Sequence, residues 1–296
     1  MRKIFLSLLI LSSALSSWSQ TDVHFKRIED VIYGRKFGTA LTLDVFQPDK
    51  PNGFGIIFVV SGGWFSAHEA ISPGPAQSFL DRGYTVFAVV HGSQPKFQIP
   101  EIIQDMHRAV RFIRFNAKKY GIDPNQIGVT GGSAGGHLSL VLGTRLGAKD
   151  APDSKDPIDR ESSAVQAVAC FFPPTDFLNY GKPGESALGE NVLAGFKAAF
   201  GEVPKEEEAK QKYGREISPI YSVNSNTVPT LILHGDADKL VPIQQSETFL
   251  VRAKEAGVKT KLIVKKGEAH GWKDWMDDFA QFGDWFDDNL RGIKKN

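Results

Sequence analysis

Short apolar runs, almost continuous in Val, Ile, Leu and Phe, recur along the chain at 55–60, 85–90, 127–130, 165–172, 230–233 and 261–264. Runs that do not alternate with polar residues are the signature of strands buried on both faces. Between them the period changes. In 99–120, Ile102, Ile103, Met106, Val110 and Ile113 recur at helical spacing, and Gly121 closes the segment ahead of Asp123-Pro124. The segments 134–146, 243–256 and 272–290 repeat this pattern, with Gly257 ending the second of them. An extended pair at 30–33 and 41–46 comes first. Strands alternating with helices predict an α/β fold with a mostly parallel sheet and helices on both faces.

Two stretches interrupt the rhythm. Residues 149–163 are rich in Asp, Ser and Pro, which predicts an exposed loop. Residues 177–228 separate two strands that would otherwise follow one another. Within them Val192, Leu193, Phe196, Ala199 and Phe200 fall at helical spacing, and Pro204 ahead of Lys205-Glu206-Glu207-Glu208 reads as a second helix start. We expect a small helical cap over the functional site; the alternative is a surface excursion packing on its own apolar stripe.

The N-terminus changes the picture of where the fold begins. Arg2 and Lys3 precede an apolar run too short to span a bilayer, and Ser17-Trp18-Ser19 offers small residues at cleavage spacing. Residues 1–19 are expected to be a signal peptide cut near Ser19, directing the chain to the periplasm or outside the cell without a stable membrane anchor. Residues 20–296 are expected to form the folded catalytic domain, a size that α/β folds reach as one unit. The formal charge of +1 drops to about −1 once Arg2 and Lys3 are removed, which points away from nucleic-acid partners. Cys170, the only cysteine, sits among Val168, Ala169, Phe171 and Phe172 and reads as a buried apolar side chain.

The candidate chemistry starts at Gly131-Gly132-Ser133-Ala134-Gly135-Gly136, between a predicted strand and a predicted helix. A serine with glycines two before and two after it is a nucleophile elbow: the turn is so sharp that flanking side chains would strike the neighbouring strand and helix. Ser133 is the candidate nucleophile. It needs a base, and the base needs an orienting group. Of the histidines, His270 lies on the glycine-flanked loop after the last strand, Gly267-Glu268-Ala269-His270-Gly271, on the same edge as Ser133. The loop after 230–233, His234-Gly235-Asp236-Ala237-Asp238, carries the acid. Asp236 is placed to fold the turn; Asp238 is preferred as the partner of His270. Oxyanion donors are expected from the Ala134 amide and from Gly62 and Gly63, which follow strand 55–60. No metal site emerges, since His68-Glu69 and His234 with Asp236 lack the ligand number zinc needs, and no phosphate loop or other cofactor motif is found.

Taken together, Gly131 through Leu138, Tyr120-Gly121-Ile122-Asp123-Pro124, His234 through Asp238 with Val241-Pro242, and His270-Gly271 resemble the α/β-hydrolase esterase/lipase superfamily, in particular hormone-sensitive-lipase-like carboxylesterases and bacterial acetyl-xylan and feruloyl esterases. The resemblance runs from about Tyr33 to the C-terminus, and the order Ser133, Asp238, His270 is that of the superfamily. It implies an α/β-hydrolase fold and a serine carboxylester hydrolase acting through an acyl-enzyme on short-chain esters, including acetyl or feruloyl groups on polysaccharide. Ser61 stands where such enzymes usually have the histidine of a His-Gly-Gly oxyanion loop. Trp64, Phe65, His68, Asp176 and Trp272 are candidate substrate contacts, each with a core, rim or capping role as its alternative; Trp275, one helical turn beyond Trp272, is its candidate partner in a sugar-stacking surface, with helix-to-sheet packing as the alternative. Two rival functions remain at this point, a prolyl-oligopeptidase-type serine peptidase and a non-catalytic hydrolase-fold binding protein.

Overall fold

The computed structural model describes residues 25–146, 151–188 and 192–293. The expected signal peptide lies outside the described residues. Among the described residues eight strands form one sheet: β1 (Phe25–Lys36), β2 (Thr39–Pro48), β3 (Gly55–Val60), β4 (Thr85–Val90), β5 (Ile127–Gly132), β6 (Ala167–Phe171), β7 (Thr230–Gly235) and β8 (Thr260–Lys265). They lie in the order β1-β2-β4-β3-β5-β6-β7-β8. The hairpin β1–β2 and the β2–β4 pair are antiparallel, and every pairing from β4 to β8 is parallel. This is the α/β-hydrolase architecture.

The helices are α1 (Gln77–Leu80), α2 (Ile99–Phe115), α3 (Ala117–Tyr120), α4 (Ala134–Thr144), α5 (Lys197–Phe200), α6 (Glu207–Ile217), α7 (Gln244–Glu255) and α8 (Phe279–Leu290). They divide between the two faces. Ile57 and Val59 of β3 join Ile102, Leu138 and Phe249 in one core. Ile56 and Val60, one residue out of phase, join Phe79, Phe282 and Phe286 of α1 and α8 in the other. Successive strand residues alternate between two buried layers, which is why the strands read as unbroken apolar runs.

Two predicted helices are shorter than their periodicity suggested. The run 99–120 breaks at Asn116, whose Nδ2 donates to the Phe112 carbonyl at 2.8 Å, and restarts as α3 before the left-handed Gly121. The final helix begins only at Phe279. Residues 272–278 form successive turns instead, because Asp278 draws in the Trp272 indole N–H at 2.7 Å and the Lys265 ammonium at 2.9 Å. Cys170 is fully buried, and burial pushes its thiol far above the ordinary range.

Candidate active site

The elbow follows β5 and opens α4. Ser133 sits at φ 54°, ψ −119°, a conformation that L-residues rarely adopt. The flanking glycines are steric necessities: a Cβ at Gly131 would come within 2.7 Å of the Gly135 backbone, and one at Gly135 within 2.9 Å of the Val59 carbonyl on β3. The strain turns the serine hydroxyl out over the carboxyl edge of the sheet.

Two neighbouring strands end at the same edge and bring the partners in. His270 Nε2 lies 3.0 Å from Ser133 Oγ, and His270 Nδ1 lies 2.7 Å from Asp238 Oδ2. The other carboxylate oxygen of Asp238 accepts the Leu240 and Val241 amides, each at 2.9 Å. Burial pushes the Asp238 carboxyl up, but hydrogen bonds from His234, His270 and the Val241 amide outweigh it and hold the group well below the usual carboxylate range. Asp238 is thus a fixed anion facing Nδ1, which places the ring proton there and leaves Nε2 as an acceptor toward Ser133. Asp236 ties the two loops together, accepting the Gly267 amide at 2.5 Å. Gly235 allows that approach, since a Cβ there would run into the Glu268 carbonyl. His234 is a brace: its Nε2–H is shared between the Val241 carbonyl at 2.8 Å and Asp238 Oδ2 at 3.4 Å, and its Nδ1 accepts from Ser246 Oγ at 2.7 Å.

The oxyanion segment is a tight hairpin turn. Gly62 N–H donates to Phe65 O at 3.0 Å and Phe65 N–H to Gly62 O at 2.9 Å, while Gly63 and Trp64 both have positive φ, 55° and 61°. Those features define a type I′ turn. The Gly62 amide, expected as a donor, is therefore committed inside the turn. The Gly63 and Ala134 amides have no partner among the described residues. Phe65 also fixes where Gly63 N–H points: in a trans peptide C=O and N–H are opposed, so anchoring Gly62 O toward Phe65 turns the Gly63 amide the other way.

A groove of about 540 Å³ runs past Ser133 and His270, lined by Ser61, Phe65, Phe172 and Trp275 among others. Of the six candidate substrate contacts, Phe65, half exposed, and Trp275 lie on it. Trp64 is buried against Phe177, Phe196 and Phe200, its indole N–H donating to His137 Nδ1 at 3.2 Å. Asp176 accepts the Leu178 and Asn179 amides and the Tyr221 hydroxyl, the capping role. His68 turns to Asp44 at 3.4 Å and Asp30 at 3.7 Å, and Arg27 pairs with the same Asp44. Of the expected tryptophan pair, Trp272 is buried behind Phe172 and Trp275 alone lines the groove. Phe172 is a groove residue that the sequence did not single out. Its ring centroid is 4.4 Å from that of His270, backing the imidazole.

The segment 177–228 packs beside the oxyanion turn through Phe196 and Phe200, and among the described residues none of it lines the groove. The expected cap over Ser133 is thus a buttress at its side. Phe196 leaves no room at Gly63, where a Cβ would run into its ring. Gly63→Ala should lower kcat by about 10–100-fold through displacement of the turn, with the circular dichroism spectrum unchanged. Wild-type kcat in that variant would contradict the placement of the Gly63 amide.

Two further histidines support the turn from below. Burial pushes His91 and His137 from the ordinary 6.5 down to about 4, so both are neutral in the folded protein. The unfolded chain protonates them near the ordinary value and the folded chain does not. Their contribution to stability is therefore complete above about pH 6.5 and is lost as the pH falls toward 4, at up to about 1.4 kcal/mol per unit for each ring. Thermal melts should show Tm falling steadily between pH 7 and pH 4.5; a flat profile would contradict the buried neutral pair.

Comparison with known proteins places these features in a family. The BD-FAE family model matches residues 43–252, more than half of the chain. The probable carboxylic ester hydrolase LipM of Mycobacterium tuberculosis is 28% identical over 226 residues, covering 75% of this chain and 50% of LipM. The esterase LipC of the same organism is 30% identical over 259 residues, covering 84% of this chain and 60% of LipC. The match thus spans half to three-fifths of the length of these curated relatives. Among solved structures, a truncated carbohydrate esterase from gut microbiota superposes with a TM-score of 0.74 at 28% identity, covering 90% of this chain and 98% of that one.

Proposed function

Because the chain belongs to the BD-FAE family of α/β hydrolases, we propose that it is a serine carboxylester hydrolase working through an acyl-enzyme. The observation that carries this reading is the unbroken hydrogen-bonded line from Asp238 through His270 to Ser133 at the mouth of an apolar groove. His270 Nε2 takes the Ser133 proton as Oγ bonds to the ester carbonyl carbon, and the carbonyl oxygen becomes an oxyanion facing the Ala134 and Gly63 amides. Collapse of this intermediate breaks the bond to the alcohol oxygen, which leaves with the proton held on Nε2. Water then loses a proton to Nε2, attacks the acyl carbon and releases the acid, and the proton returns to Ser133. Asp238 keeps the ring oriented and balances its charge at each stage. Relatives named as esterases do not favour the peptidase alternative.

For substrate, we propose short or aromatic acyl groups, acetyl or feruloyl, carried on polysaccharide. Phe65 and Trp275 give the groove aromatic walls suited to a planar acyl group or a sugar face, and the gut-microbiota structure similar to this chain is a carbohydrate esterase. We propose that residues 1–19 act as a signal peptide, and export would bring the chain to where such substrates are found. A panel of p-nitrophenyl esters beside acetylated xylan and feruloylated arabinan tests this. Acetate should turn over at least about tenfold faster than decanoate, since one methylene alone is worth about 1–3 kcal/mol in discrimination. Faster hydrolysis of decanoate, or release from neither polysaccharide, would overturn the substrate assignment.

A further inference from the structure

The loop after β4 holds the oxyanion turn on almost every side. His91 Nδ1–H donates to the Gly92 carbonyl at 2.8 Å, which leaves Nε2 to accept the Ser61 hydroxyl at 2.8 Å. The His91 amide donates to Ser66 Oγ at 3.2 Å, and that hydroxyl donates to the Val60 carbonyl. Ser93 Oγ accepts the Ser66 amide at 3.1 Å, and the Gln94 side chain donates to the Gly63 carbonyl. Behind His91, the Gly92 amide donates to Asp105 at 2.9 Å, and Asp105 is paired with Lys36 at 2.6 Å. A buried carboxylate thus fixes the peptide next to His91, and His91 fixes Ser61, the residue that leads into Gly62 and Gly63.

We propose that His91 is a positioning residue for oxyanion stabilisation: through the Ser61 hydroxyl it sets where the Gly63 amide stands relative to Ser133. This rests on the esterase reading above. The two histidine contacts use different ring nitrogens, and only one assignment of protons satisfies both. Gly92 O can only accept, so Nδ1 carries the hydrogen and Ser61 must donate to Nε2. The hydroxyl proton of Ser61 therefore points at His91 and away from the groove, so Ser61 itself is not an oxyanion donor. Its side chain is the link through which a buried ring bears on the residue that leads into Gly62 and Gly63. A donor displaced by a fraction of an ångström binds the ground-state carbonyl almost as before but the oxyanion less well, so the effect falls on kcat.

Ser61→Ala, His91→Leu, the double variant and His91→Gln, assayed with p-nitrophenyl acetate, test this. Either removal should lower kcat about tenfold or more with KM within about twofold. The double variant should be no worse than the poorer single one, because both break the same link. His91→Gln, whose side-chain oxygen can accept from Ser61, should recover most of the loss. Wild-type kcat in Ser61→Ala, losses that multiply in the double variant, or a loss carried by KM would overturn the proposal while leaving the esterase reading intact. If His91→Leu fails to fold, the Ser61→Ala and His91→Gln results decide. Wild-type protein with no hydrolysis dependent on Ser133 would remove the esterase reading, and the positioning role with it.

Discussion

Ser133→Ala should reduce kcat for p-nitrophenyl acetate by about 10⁴–10⁶-fold while leaving the fold intact. Alanine takes away the only atom that can bond to the acyl carbon, and His270 Nε2, 3.0 Å away in the parent, then has no proton to remove. Little else should change. The hydroxyl is not part of the core, and the φ of 54° belongs to position 133 itself, where alanine, also an L-residue, bears the same backbone strain. The variant should retain the parent Tm or exceed it slightly, a common result when a polar reactive group at a functional site is removed. A variant that kept more than about a hundredth of wild-type kcat would point to another nucleophile.

Asp238→Asn tests the other end of the line and should cost about 10⁴ in kcat, although it changes a single atom. The present carboxylate accepts from His270 Nδ1 on one oxygen and from the Leu240 and Val241 amides on the other. Those two amides require an acceptor, so the asparagine will keep its carbonyl oxygen toward them and turn its NH₂ toward His270. The ring then accepts at Nδ1 and carries its proton on Nε2, the wrong tautomer to receive a proton from Ser133. Asp238→Ala should be less harmful to catalysis than this argument demands of asparagine, because it forces no tautomer, but more harmful to the loop through its two orphaned amides. Equal kcat in wild type and Asp238→Asn would show that the tautomer is not set here.

How far the site is legible from sequence depends on whether a residue's role is local. The elbow is legible because its rule is steric and contained within five residues: Gly131 and Gly135 meet backbone at under 3 Å. Asp238 and His270 are legible because a parallel sheet delivers successive loops to one edge, and the positions just past β7 and β8 must meet there. Gly62 is different. Whether its amide is free depends on the pairing with Phe65, a register that Gly-Gly does not specify. Trp272 and Trp275 do not share the surface their helical spacing suggests for a related reason: Asp278 imposes turns over 272–278, which bury one and leave the other on the groove. The insertion could be recognised by its helical spacing, but the side on which it packs is decided by Phe196 and Phe200 meeting Trp64, a contact across more than 130 residues. His91 carries no signal near Ser61 in the chain; only the β3–β4 pairing brings the two together.

The account stands or falls on Ser133 acting as a nucleophile activated by His270. Intact-mass spectrometry after treatment with a fluorophosphonate probe reads this directly. The wild-type chain should gain the mass of one phosphonyl group, mapped by peptide sequencing to Ser133, with no adduct on Ser133→Ala and labelling slowed by several orders of magnitude in His270→Ala. An adduct on a different residue, or a wild-type chain that stays unmodified under conditions that label a known serine esterase, would contradict it.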